Sequence, residues 1–136
     1  MNRMTRVGAV AGICAALAVT AVAGAGPASA ASSFDVRSDV SRVTGSLDFP
    51  SRTKFTATNV TLYDTSCDNR SARFRFVTNN GAYKWRQIDQ CNTSATWSSI
   101  SGTDGGDIKW VRVETQACNS LGCSTMASQT IDNPRT

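Results

Sequence analysis

The stretch DIKWVRVETQACNSLGC (residues 107–123) carries the clearest structural signal in the chain. Its β-branched and aromatic residues alternate with charged ones, which is typical of a strand with one buried and one exposed face. Val111 and Val113 fall on one face of this predicted strand. The other face carries Trp110, Arg112 and Glu114. The segment NSLG that follows consists of turn-forming residues, so the sequence predicts a long strand that ends in a tight turn.

Two cysteines, Cys118 and Cys123, enclose this turn at a spacing that suits a disulfide, a metal site or a redox pair. A zinc site is usually built from cysteine and histidine ligands, and the chain contains no histidine. A redox pair normally has two residues between its cysteines at the start of a helix. Here four residues separate the cysteines and a strand precedes them. We therefore predict a disulfide across the neck of a hairpin, and no metal site.

Residues 1–30 have the organisation of a secretion signal peptide. Arg3 and Arg6 give a positive start, an uncharged run rich in Ala and Gly follows, and Ala28 and Ala30 occupy the small-residue positions before a cleavage site. The apolar run is also long enough to span a bilayer. Its composition and the cleavage site favour removal instead. We predict cleavage after Ala30, a secreted extracellular protein, and no membrane association after cleavage.

Removal of the signal peptide changes both the charge and the cysteine count. The net charge falls from +4 to +2, because two arginines are lost with it. An excess this small does not indicate a nucleic-acid partner. The five cysteines become four, an even number that is typical of disulfides in a small exported domain. Four cysteines allow three pairings, of which we favour Cys67 with Cys91 and Cys118 with Cys123.

The rest of the mature chain reads as further short strands. The same alternation recurs at VTGSLDF (43–49), KFTATNVTLYD (54–64), ARFRFV (72–77), AYKWRQI (82–88) and SATWSSI (94–100). Asn80 and Gly81 form an Asn-Gly pair, the strongest short-range hairpin signal. The pattern predicts an all-β fold, a small antiparallel β-sandwich, Ig-like or barrel-like, with two disulfides. We assign residues 31–41 to an extended N-terminal arm and residues 42–136 to a single domain.

A row of cations forms the first candidate binding surface. Alternation places Arg73 and Arg75 on the outer face of the strand in 72–77. In the segment 82–88, Lys84 and Arg86 fall on one face, while Tyr83 and Trp85 fall on the other. The candidate ligand surface consists of Arg73, Arg75, Lys84, Arg86, Trp110 and Arg112. Arginine beside tryptophan can stack on it or bind anionic groups, although an ordinary solvated sheet face would look the same in sequence.

Catalytic chemistry has little support in this sequence. Without histidine, the Ser-His and Cys-His nucleophile arrangements are excluded. Glu114 is the only glutamate, and most aspartates fall in turn-like segments, where they usually cap the backbone. The loop DGGD (104–107) lacks the ligand spacing of a calcium-binding loop. We therefore expect no enzyme activity, no cofactor and no metal.

Several segments resemble a known group of proteins. YDTSCDNRSARFRF (63–76), WSSISGTDGGDIKW (97–110), the motif VRV followed by two cysteines four residues apart, and IDNP (131–134) are similar to small exported actinobacterial proteins. That resemblance implies a compact two-disulfide β-sandwich and supplies no catalytic residue. A weaker similarity links the chain to the apo-chromoproteins that carry enediyne antibiotics, which also end in a cysteine pair enclosing four residues. Their first cysteine pair is closer together than Cys67 and Cys91.

Two classes of function follow from these observations. The first is a secreted non-enzymatic binding protein that acts at the cell surface or in the medium on an extracellular protein or a cell-wall or polysaccharide ligand. The second is an extracellular protease inhibitor in which a disulfide-braced loop enters an active site. The candidate contact loop consists of Asn119, Ser120, Leu121 and Gly122. A small-molecule carrier is a third alternative, suggested by the similarity to the chromoproteins.

Overall fold

Two antiparallel sheets make up the computed structural model, which describes residues 30–136. The predicted signal peptide therefore lies, apart from Ala30, outside the described residues. The strands are β1 (Ser32–Arg37), β2 (Ser41–Ser51), β3 (Lys54–Asp64), β4 (Ser71–Thr78), β5 (Gly81–Ala82), β6 (Arg86–Ile88), β7 (Ser94–Thr103), β8 (Trp110–Asn119), β9 (Gly122–Cys123) and β10 (Ala127–Asp132). Sheet A has the order β1-β2-β3-β7. In sheet B, β4 and β10 flank β8, both β5 and β6 pair with β4, and β9 pairs with β8.

The inner faces of the two sheets meet in one core. Alternation along β4 and β8 buries Ala72, Phe74 and Phe76 together with Val111 and Val113, as their spacing predicts. Four phenylalanines from both sheets form the centre of the core. The ring of Phe76 lies 6.2 Å from Phe34, 5.3 Å from Phe55 and 5.8 Å from Phe74, measured between ring centroids. The all-β sandwich is thereby confirmed.

Strand β1 corrects the prediction of a separate N-terminal arm. Residues Ser32–Arg37 pair with β2 along their whole length, and Phe34 and Val36 are buried in the shared core. The two apolar residues lie at alternate positions and therefore on one face of β1, and burial of that face sets the register of the strand on β2. Gly45 makes room for this, because a Cβ at that position would lie 2.6 Å from Cζ of Phe34.

Both predicted disulfides are present. Cys67 lies in the connection from β3 to β4, and Cys91 lies in the connection from β6 to β7, so their bond joins two crossings between the sheets at one end of the sandwich. Cys118 and Cys123 face each other as a register pair of β8 and β9. The pairing favoured among the three alternatives is confirmed.

The β4–β5 hairpin lies one residue away from the predicted position. Thr78 pairs with Gly81, so Asn79 and Asn80 form the tip and Gly81 begins the returning strand. The backbone of Gly81 has a φ of 152°, which is unfavourable for residues with a side chain. The glycine of the Asn-Gly pair therefore closes this turn instead of occupying its tip.

Candidate functional site

Strands β4 and β8 form the centre of the site. On the outer face of sheet B, Arg75 lies directly opposite Glu114, and Arg73 lies opposite Gln116. Residues opposite each other in an antiparallel pair have their side chains on the same face and in reach of one another. Register therefore builds a continuous polar surface from alternate residues of two neighbouring strands. We call this the arginine face, consisting of Arg73, Arg75, Trp85, Trp110, Arg112, Glu114 and Gln116.

Glu114 anchors two of the three arginines. Its side chain is 1% exposed although it lies on the outer face of the sheet, because the guanidinium groups cover it. Nε of Arg75 donates to Oε2 at 2.7 Å, and Nε of Arg112 donates to Oε1 at 2.8 Å. Charge-assisted hydrogen bonds of this length hold both guanidinium groups in fixed positions. The only glutamate in the chain is therefore an organiser of this surface.

Trp85 holds the two arginines of β4. The Cζ atoms of Arg73 and Arg75 lie 4.3 Å and 4.4 Å from the centroid of its ring, within the range of cation-π contact. Strict alternation along residues 82–88 predicts that Trp85 shares a face with Tyr83. The structure separates them, because strand pairing is interrupted between β5 and β6 at residues 83–85. Tyr83 instead packs against Phe55 in the core.

Arg73 differs from the other two arginines in its partners. With the Gln116 amide oriented so that its oxygen faces the guanidinium group, Oε1 accepts from Nε at 3.1 Å and from Nη2 at 2.6 Å. Nη2 also lies 3.5 Å from Sγ of Cys123. Among residues 30–136 no carboxylate lies within 4.0 Å of this guanidinium group. Burial and the neighbouring charge of Arg75 lower the pKa of Arg73.

The remaining residues of the predicted surface fall in different places. Arg112 lies 5.6 Å from the ring of Trp110, so this pair extends the arginine face as predicted. Arg86 pairs in register with the inward-facing Phe74, which puts it on the opposite side of sheet B from Arg73. Lys84 is exposed in the interrupted segment between β5 and β6. The structure therefore brings together four of the six predicted residues, and it adds Trp85, Glu114 and Gln116.

The hairpin tip of β8 and β9 lies next to the Arg73 end of this surface. Asn119 pairs with Gly122, which leaves Ser120 and Leu121 as the two tip residues. Oδ1 of Asn119 accepts from the backbone N–H groups of Leu121 and Gly122 at 2.9 Å and 3.1 Å. The side chain of Leu121 is 94% exposed. An apolar side chain thus protrudes from a turn that a disulfide and two hydrogen bonds hold in place.

A second polar cluster lies near the β4–β5 turn and is structural in character. Asp104 accepts hydrogen bonds from Tyr83 at 2.6 Å, from Thr78 at 2.7 Å and from Asn80 at 3.2 Å. Burial together with the hydrogen bond to Asp104 raises the pKa of Tyr83 above its ordinary value. Burial alone would raise the pKa of Asp104 as well, but the three hydrogen bonds outweigh it and lower that pKa. This cluster ties the loop after β7 to the β4–β5 turn.

The DGGD loop presents its carbonyl oxygens to this same turn. Nδ2 of Asn80 donates to the carbonyl oxygens of Gly106 and Asp107 at 3.5 Å and 3.2 Å. Within residues 30–136 no three acidic or cysteine side chains are placed to hold a metal ion. Two carbonyl oxygens of the loop are therefore engaged by the amide of Asn80, which ties the loop to the β4–β5 turn.

Surface depressions cluster at the end of the sandwich that carries the Cys67–Cys91 disulfide. One is lined by Asn69, Arg70, Ser71 and Asp89 beside that bond, and another by Tyr63, Asp64 and the segment 92–94. Neither of these two includes a residue of the arginine face or of the hairpin tip.

The chain was compared with protein families, curated proteins and solved structures. No protein-family model, curated protein or solved structure matches this chain. The structure contains no helix in residues 30–136 that is long and apolar enough to cross a membrane. The described residues form a β-sandwich with two disulfides. On its arginine face, hydrogen bonds to Glu114 and cation-π contacts with Trp85 hold the arginine side chains.

Proposed function

We propose that this chain is a secreted, non-enzymatic binding protein that holds an anionic extracellular polymer on its arginine face. Two disulfides in a small sandwich support an extracellular location, where such bonds persist. The acidic side chain at the centre of the face, Glu114, is engaged by two arginines and has no free oxygen for acid-base chemistry. The surface therefore has the features of a binding site.

The observation that carries this proposal is the environment of Arg73. Its cation is partly buried next to a second cation, and within residues 30–136 its polar contacts are an amide oxygen and a sulfur atom. A charge in this setting gains more from an incoming anion than an exposed charge does, because surrounding water screens it less. Asp132 pairs in register with Trp110 at one end of the face, and Asp89 accepts a hydrogen bond from Ser71 at the other end.

Arg73→Gln should weaken binding of an anionic wall polymer or polysaccharide about tenfold, since one charge-assisted hydrogen bond is worth about one decade of affinity. The measurement is co-sedimentation of the secreted protein with purified cell walls and immobilised acidic polysaccharide at low and high salt. Lys54→Gln is the matched control, because it removes one exposed positive charge from β3 in the other sheet. Equal losses in the two variants would show that only overall charge matters.

The exposed Leu121 supports a second candidate function, inhibition of an extracellular protease. A side chain held rigidly at a hairpin tip can enter an apolar pocket with little further loss of entropy. Because the tip is a two-residue turn, this contact would be an insertion of one side chain and not an extended pseudo-substrate. Stoichiometric inhibition of a subtilisin-like enzyme that disappears in Leu121→Asp and persists in Ser120→Ala is the expected result. An absence of inhibition by the native protein removes this candidate.

A further inference from the structure

Strand β7 forms an open edge of the sandwich. It is the last strand of sheet A, where it pairs with β3. In an antiparallel pair, alternate residues of an edge strand point their backbone N–H and C=O groups away from the neighbouring strand. Within residues 30–136 no second strand pairs with these outward groups of β7. Ten residues of edge strand are therefore open to pairing with another chain.

The other edges of the sandwich are protected. β1 carries Asp35 and Arg37, and the backbone N–H of Asp35 donates to Gln129 of β10, so these two edge strands cover each other. β5 and β6 are only two and three residues long. Charged residues, short strands and covering contacts are the usual means by which sheets avoid association at their edges. β7 is long and contains neither a charged residue nor a proline.

The pattern of inward and exposed residues in β7 is the same in both directions. The residues that face the sandwich are Ala95, Trp97, Ile100 and Gly102. Ser98 and Ser99 are both exposed, so the alternation changes phase once, in the middle of the strand. A two-fold axis between these serines puts Trp97 opposite Ile100 of a second copy. Residues facing the core then lie opposite one another along the whole strand, which is the condition for a stable register.

We propose that the β7 edge is a dimerisation surface, on which a second copy of this chain adds its own β7 in antiparallel register. The two four-stranded sheets A then become one sheet of eight strands. No like-charge repulsion opposes this pairing, because Ser94–Thr103 is uncharged. The backbone groups along the edge gain hydrogen-bond partners, and the self-complementary pattern makes a second copy the occupant that fits.

The dimer places both arginine faces on one side. A two-fold axis between antiparallel strands of one sheet runs perpendicular to that sheet, so the outer faces of both sheets B point in the same direction. A polymer that contacts both copies binds more tightly than it binds one, because the second contact is intramolecular. This consequence rests on the proposed function, whereas the dimer itself does not.

Sedimentation velocity of the secreted protein without polymer tests the dimer. We expect a monomer at about 1 μM and a growing dimer fraction towards about 1 mM, because an interface made by one strand is small. The variant Ser98→Lys/Ser99→Lys puts lysines directly opposite each other at the axis and should weaken dimerisation at least about tenfold. Ser32→Lys/Ser33→Lys is the matched control, since it changes two consecutive exposed serines of β1 at the other edge of sheet A.

Hydrogen exchange locates the contact without any substitution. Exchange of the amides in Ser94–Thr103 should slow as the protein concentration rises, while exchange in β1 stays constant. A native protein that remains a monomer at all concentrations overturns the inference, and so does equal dimerisation of the two lysine variants, once thermal unfolding shows that both are folded. Protection of the β7 amides that is independent of concentration also overturns it, because another part of the same chain then covers the edge. None of these outcomes bears on polymer binding by the arginine face.

Discussion

Replacing both Cys67 and Cys91 with serine should lower the free energy of unfolding by about 3 kcal/mol. The bond joins residues 24 positions apart, and the loss of chain entropy that a disulfide imposes on the unfolded state grows with the length of the closed loop. It also joins the β3–β4 and β6–β7 connections, which are the crossings between the two sheets at that end. Urea unfolding followed by tryptophan fluorescence measures the change.

The second disulfide is the matched control for this prediction. Cys118 and Cys123 are five positions apart, so their double serine variant should lose only about 2 kcal/mol on the same entropic argument. Its effect should be local, because Cys123 contacts Arg73 and braces the hairpin tip. If the Cys118/Cys123 variant were the less stable of the two, loop entropy would not be the main contribution of these bonds.

Glu114→Gln should destabilise the fold by about 3 kcal/mol and at the same time strengthen binding of an anionic polymer. Breaking a buried ion pair from one side usually costs about 3 to 5 kcal/mol. The lower value applies here, because the Arg75 and Arg112 side chains are 28% and 40% exposed and water compensates part of the loss. Removing the one negative charge at the centre of the arginine face makes its field more positive, which favours anions.

A charge-matched variant separates the two effects. Asp132 is exposed on β10 and pairs in register with Trp110 at the end of the same face. Asp132→Asn removes one negative charge there, so it should strengthen anion binding with a change in stability below about 0.5 kcal/mol, as is usual for surface substitutions. Chemical denaturation and calorimetry on the two variants give both quantities. A Glu114→Gln protein as stable as Asp132→Asn would mean that the buried carboxylate does not organise the surface.

The core and the Cys118–Cys123 disulfide were accessible from sequence because both depend on local patterns, and the Cys67–Cys91 pair is what remains of the four cysteines. The period of two in ARFRFV and WVRV determines which residues of β4 and β8 point inward, and the pairing of Cys118 with Cys123 follows from the hairpin between them. β1 was misassigned, because two buried residues in a six-residue edge strand leave only a weak pattern. Its partner strand β2 begins only a few residues later. The register between the two strands depends on both segments and cannot be predicted from either one alone.

The arginine face was only partly accessible for a different reason. Alternation predicts the positions of Arg73, Arg75 and Arg112, since these lie in regular strands. Trp85 lies within an interruption in strand pairing and Arg86 directly follows it. The alternation of inward and outward side chains is lost there. The role of Gln116 depends on β4 and β8 being neighbours with one register, and that is a property of tertiary structure. The Tyr83–Asp104 contact likewise joins residues 21 positions apart.

The meeting of the first and last strands has a consequence for biogenesis. β1 and β10 contact each other across the sandwich, where the backbone N–H of Asp35 donates to Gln129, and Ile131 completes the core that Phe34 enters. The native contacts thus link the first and last strands of the described residues, and domains dominated by such non-local pairings fold slowly, on the order of milliseconds to seconds. A polypeptide cannot close this core until β10 has been synthesised, so it stays unfolded while β1 emerges. For the extracellular location that we propose, this delay keeps the chain in the unfolded state that passage through a secretion channel requires, and the two disulfides form after export.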